Sequence, residues 1–137
     1  MELRLTYLEI GNLIEKKTGR ALPLAYGGSH TVRVSYDVNV LFKTASVGVD
    51  LTVERIEGSD IYIAYDGGAG IDFMVRQAVS IAKSRPGGEL IEALDGNRIL
   101  LCLGRNAQAG SLFERVTLED IRFDEQYAII QFSPKAF

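Results

Sequence analysis

Residues 31–42 alternate almost without error. Val32, Val34, Tyr36, Val38, Val40 and Phe42 interleave with Thr31, Arg33, Ser35, Asp37 and Asn39, and only Leu41 falls out of phase. Successive side chains of an extended chain point to opposite faces, so this period of two predicts a strand with one buried and one wet face. At about 3.3 Å per residue such a strand runs roughly 40 Å, about twice the usual length, and has to curve or coil. A short link at 43–45 leads to a second alternating run, Val47, Val49, Leu51 and Val53, which ends near Glu57 at a Gly58-Ser59 turn. Ile61, Ile63 and Tyr65 form a third. Strands joined by such short links predict an antiparallel meander. Small residues at Gly48 and Ala64 permit bending or close packing on it.

Residues 70–84 change the period. At 100° per residue Ile71, Met74, Val75, Ala78, Val79, Ile81 and Ala82 share an arc of roughly 160°, predicting an amphipathic helix. Asp72 suits the positive end of its dipole, and Lys83 and Arg85 suit the other. Pro86 and Gly87-Gly88 stop it. Phe73 points into the polar arc. Either the sheet or the preceding loop covers it, or it is an exposed apolar anchor for a ligand or partner. The DGGAG stretch before the helix, residues 66–70, matches neither a P-loop nor a dinucleotide fingerprint. It reads as a reversal loop, with a phosphate or carboxylate site at the helix start as the alternative.

The flanks are also legible. Thr6 and Glu9 make a capping box, and Leu5 and Ile10 occupy the positions of a hydrophobic staple, so a helix is expected from Tyr7 to about Lys17. Gly19 is placed to close it. Tyr7, Ile10, Gly11 and Ile14 form its inward face. Residues 21–29, with Pro23 and Gly27-Gly28, read as a loop leading to His30. Residues 98–103 form a strand that is apolar on both sides, residues 104–110 a polar loop, and residues 116–123 a strand whose phase slips at Glu119-Asp120, the mark of a β-bulge. A last strand through Ala128, Ile130 and Phe132 ends at Pro134. The order describes one α+β domain over residues 1–137, a long curved antiparallel sheet around a central helix, with an N-terminal helix.

Composition narrows the chemistry. A formal net charge of −3 and scattered basic residues argue against nucleic acid as partner. One cysteine, Cys102 in an apolar run, reads as a buried inert thiol, and with a single histidine no metal site or cofactor is expected. No apolar run is long enough for a transmembrane segment. The first residues are charged, so the sequence as it stands reads as cytoplasmic, or as exported if a signal was removed. No catalytic residues are expected. An enzyme reading would need His30 to converge with Asp66 or Asp72.

The opening strand with LTYLEIGNLIEKKTG, the valine-rich strands, the central helix and the closing GNRILLCL … FERVTLEDIRFDEQYAIIQF segment resemble a single module of the tubular lipid-binding (BPI-like, or TULIP-like) superfamily in its small bacterial members. The resemblance covers nearly the whole chain. It implies a helix wrapped by a coiled sheet, an apolar ligand channel between them, and no catalytic residues. Two functions are expected on these grounds. One is binding of a lipid or apolar small molecule, lined by Ile71, Met74, Val75, Ala78 and Ala82 facing Val34, Tyr36, Val38, Val49 and Leu51. The other is an assembly module without a small ligand, pairing as a homo-oligomer through strand edges, Phe73 and the two-sided strand around Cys102.

Overall fold

The structure is a computed structural model, described here for residues 1–19, 22–68, 70–84, 88–105 and 107–135. Among these residues the fold is α+β and mostly strand, with two antiparallel sheets and three α-helices. The elements are β1 (Glu2–Thr6), α1 (Tyr7–Thr18), β2 (Leu24–Gly28), β3 (Thr31–Val40), β4 (Lys43–Glu57), β5 (Asp60–Asp66), α2 (Ile71–Lys83), β6 (Ile91–Leu94), β7 (Arg98–Cys102), α3 (Ala107–Phe113), β8 (Val116–Phe123) and β9 (Tyr127–Pro134).

The expected meander is present as β3, β4 and β5, and it forms the middle of a six-stranded sheet ordered β2-β3-β4-β5-β7-β6. The remaining strands make a separate three-stranded sheet, β1-β9-β8. The expected bulge in β8 lies where the register slips between Leu118 and Asp120. The capping box of α1 forms in both directions between Thr6 and Glu9, and Gly19 closes the helix with a left-handed φ of 77°. Tyr7, Ile10, Gly11 and Ile14 are half-buried while Leu8 and Leu13 face solvent. The small sheet leans on the turn end of the large one, where the Phe123 N–H donates to the Ser29 carbonyl at 2.7 Å.

Three local expectations are corrected. Residues 24–28 are a strand, because edge pairing with β3 supplies hydrogen bonds that a Gly-rich stretch otherwise lacks. Within the expected loop at 104–110, a 3-10 turn closes β7 at Arg105, and α3 then runs from Ala107 to Phe113. The long strand at 31–42 stops at Val40, where Leu41 and Phe42 form a tight turn straight into β4. Leu41 takes a positive φ of 57° there, which the alternation registered as its one break. The helix-stop signals at Pro86 and Gly87, the start of the loop at Ala21, and Ala69 of DGGAG lie outside the described residues.

Helix α2 lies on one face of the large sheet. Ile71 and Val79 are buried with Val49, Tyr65 and Ile99, and Val47, Leu51, Val75, Ile91 and Ala93 pack around them. The buried arc is narrower than the sequence suggests, since Ala78 and Ile81 are exposed. The helix rests on the β4–β7 face and reaches edge strand β6, so its far flank meets water.

Candidate functional site

The feature that most sets this fold apart is the outer end of β3 and β4. Strand β2 flanks β3 as far as Val34, and the Ser35 N–H donates to the Pro23 carbonyl. On the other side β5 flanks β4 only from Asp50. From the Tyr36–Val47 pair outward to Val40–Lys43, β3 and β4 pair only with each other among the described residues. This is a two-stranded ribbon about 17 Å long with both edges open. Such a ribbon in water is marginal on its own.

Its tip is apolar. Leu41 is 93% exposed and Phe42 105%. Asp37, Lys43, Thr44, Ala45 and Ser46 are exposed along its length. Bulky aliphatic residues rarely hold a positive φ, because Cβ crowds the backbone. Leu41 therefore combines local backbone strain with an apolar side chain placed wholly in water. Asparagine and glycine are the usual residues for this turn.

At the root of the ribbon stands the first turn of α2. The chain reverses between β5 and α2 through Gly68 and Gly70, at φ 92° and 80°. A Cβ on Gly67 would sit 2.9 Å from Ile71 Cγ1 and 3.0 Å from the Gly48 carbonyl oxygen, so the loop is wedged between helix and ribbon. The Tyr65 hydroxyl donates to Asp72 Oδ1, Arg76 Nε donates to the same carboxylate at 3.3 Å, and Arg76 also donates to the Leu94 carbonyl at 2.9 Å. These bonds tie the start of α2 to β5 and to the end of β6. Phe73, in the same turn, is 70% exposed, so neither the sheet nor the preceding loop covers it.

The Tyr65 link predicts a pH signature. The Asp72 carboxyl is held below its ordinary value of 3.8, first by the Tyr65 hydroxyl and then by Arg76. Burial, with Asp72 beside it, pushes the Tyr65 phenol up. A carboxyl whose folded value lies below its unfolded one stabilises the fold fully above the unfolded value, and the contribution is lost as pH falls through the folded one. Tyr65→Phe is therefore expected to lower the melting temperature at neutral pH, by a margin that narrows below about pH 4. Thermal melts of both proteins across that range check it. A margin constant with pH would separate the hydroxyl from the Asp72 charge.

The residues expected to line an apolar channel are brought together only in part. Ile71, Val75, Val49 and Leu51 meet in the cluster between α2 and the sheet, packed directly against one another. Val34 is half-buried opposite Val49. Met74 and Ala82 are half-buried and Ala78 is exposed. The side chains of Tyr36 and Val38 lie outside the described set. Two polar clefts lie elsewhere. One, of about 220 Å³, is lined by His30, Val53, Glu54, Arg55, Ile56, Glu119 and Asp120. The other is lined by Tyr26 and residues 124–126.

His30 Nε2 stands 3.4 Å from the Asp120 carboxylate, with Ser29 Oγ 3.3 Å from Nδ1, whereas Asp72 is engaged by Tyr65 and Arg76. Cys102 is buried, and that burial raises its thiol above the ordinary value. Both sides of β7 are covered, with Ile99 and Cys102 buried and Leu100 and Leu101 half-buried. Among the described residues no His, Cys, Asp or Glu triad is arranged to hold a metal ion, and no helix is long and apolar enough to cross a membrane.

Sequence reasoning missed Leu41 and Phe42 as an exposed turn. Their signal was present, as the one break in the alternation followed by Lys43, but without glycine, asparagine or proline it did not read as a turn. Searches against family models, curated proteins and solved structures return no match to this chain.

Proposed function

We propose that this chain is a non-catalytic assembly module that associates with other protein through the β3–β4 ribbon and the α2 surface at its root. The observation that carries the reading is an area. The chain exposes 8965 Å² at 15.1 kDa. A compact monomer of that mass exposes about 7,100 Å². The excess, about 1,900 Å² per chain, is on the scale that permanent interfaces remove from each partner. Leu41, Phe42 and Phe73 are among the apolar residues that contribute to the exposed surface. A second reading, a lipid or other apolar ligand held between α2 and a sheet curved around it, draws on the apolar cluster of Ile71, Val75, Val49 and Leu51.

Sedimentation velocity over a hundredfold range of concentration, paired with native mass spectrometry and solvent extraction, separates the two. The assembly reading expects a mass above that of one chain, falling only on dilution, with nothing extracted. A strict monomer at every concentration overturns it. A monomer that carries a lipid of defined mass moves the assignment to the ligand reading.

A further inference from the structure

We infer that the β3–β4 turn of the single chain is a processing site, where an endoprotease that selects a bulky apolar residue cuts between Phe42 and Lys43 and leaves the rest of the fold standing. The inference goes beyond the assembly reading and does not depend on it. The first observation behind it is access. A protease draws the side chain before the scissile bond into a pocket, so that side chain has to be clear of its own protein. Leu41 and Phe42 are both wholly exposed, and Lys43 after them is exposed too. The second is the backbone around them. Among the described residues, every other large apolar residue that is exposed, apart from Met1, lies within a helix or a strand, Tyr26 in β2 and Phe73 in α2 among them. Exposed turn tips are where nicking concentrates.

The third is what opening breaks. A protease takes its substrate as an extended segment, so the strands beside the turn have to part. Parting them from Asp37–Ser46 to Val40–Lys43 breaks four rungs, and residues 41–46 are all exposed. Leu41 also leaves its positive φ of 57°, so opening relieves strain. The remainder is held without the ribbon. From Ser35–Gly48 to Thr31–Thr52 the same two strands are paired within the six-stranded sheet, between β2 and β5, and Val49 is buried in one cluster with Ile71 and Val79. In the cut, the C–N bond of Phe42–Lys43 breaks while water gives its hydroxyl to the Phe42 carbonyl carbon and a proton to the Lys43 nitrogen. The pieces 1–42 and 43–137 stay together as one folded particle, with a new carboxylate and a new ammonium where the tip was apolar.

Limited digestion of the full chain with chymotrypsin, diluted until it sediments as a single chain and followed by intact mass, tests this. The first products expected are 1–42 and 43–137, eluting together on gel filtration and still melting cooperatively. Cutting through local opening does not draw on global stability, so its rate in Ile71→Ala is expected within about twofold of wild type. Cutting that waits for global unfolding would speed up roughly thirtyfold or more in that variant, and the inference would be overturned. Leu41→Asn with Phe42→Gly keeps a pair suited to a positive-φ hairpin turn while removing both apolar side chains. It is expected to slow the cut about tenfold or more. A first cut at another place, pieces that separate, or a tip variant cut as fast as wild type each overturn the inference as well.

Discussion

Ile71→Ala is expected to lower the unfolding free energy by about 2–4 kcal/mol, read as a shift of the urea midpoint at unchanged slope. Ile71 is 4% exposed, and it is the side chain that both opens α2 and fills the space between Val49, Tyr65 and Ile99. Gly70 before it offers no side-chain cap, so packing is what holds the helix start down. Truncation leaves a cavity walled by a sheet on one side, which cannot collapse without moving β4. Ile81→Ala, on the exposed flank of the same helix, is the comparison. It is expected to stay within about 0.5 kcal/mol of wild type. Equal losses at the two positions would mean that α2 presents a different face to the sheet.

The second large effect is expected at a glycine that needs no unusual backbone. Gly67→Ala should cost about 1–3 kcal/mol, measured by thermal or urea unfolding. The added Cβ meets Ile71 Cγ1 at 2.9 Å and a backbone oxygen, that of Gly48, at 3.0 Å. Neither can swing aside without shifting the helix or the root of the ribbon. Gly48→Ala looks worse by distance, since its Cβ would stand 2.6 Å from Arg33 Nε. That atom is the end of a flexible chain with a weak 3.8 Å pairing to Asp50, and it can move away. Gly48→Ala is therefore expected to be nearly silent. A reversal of this order would place the tight contact in the sheet rather than between helix and loop.

Local physics made much of the fold legible. The alternation at 31–65, the Thr6–Glu9 box, Gly19 and the phase slip at Glu119 each depend on residues close in sequence, and each has its expected counterpart in the structure. What was not legible depends on distant partners. Residues 24–28 are extended because β3 lies beside them, and the division into two sheets depends on β1 meeting β9. Ala78 and Ile81 sit on the helix's apolar arc, but whether an apolar flank is covered depends on how far the sheet extends, which periodicity does not report. The same holds for the ribbon. Its alternation was plain, while its exposure arises only because β2 and β5 both stop short of it.

The pairing of β1 with β9 bears on how the chain is made. Leu5 sits opposite Ala128, so the first strand finds its neighbour more than a hundred residues later. At translation speeds of about 5–20 residues per second, β1 leaves the ribosome on the order of ten seconds before β9 exists. The large sheet, whose strands lie between Leu24 and Cys102, can form during that interval. The small sheet cannot close until β9 has been made. Loop closure over such a span is slow compared with hairpin formation. The β8–β9 hairpin is thus the template on which β1 docks after the large sheet, and the bond from the Phe132 N–H to the Met1 carbonyl forms only then.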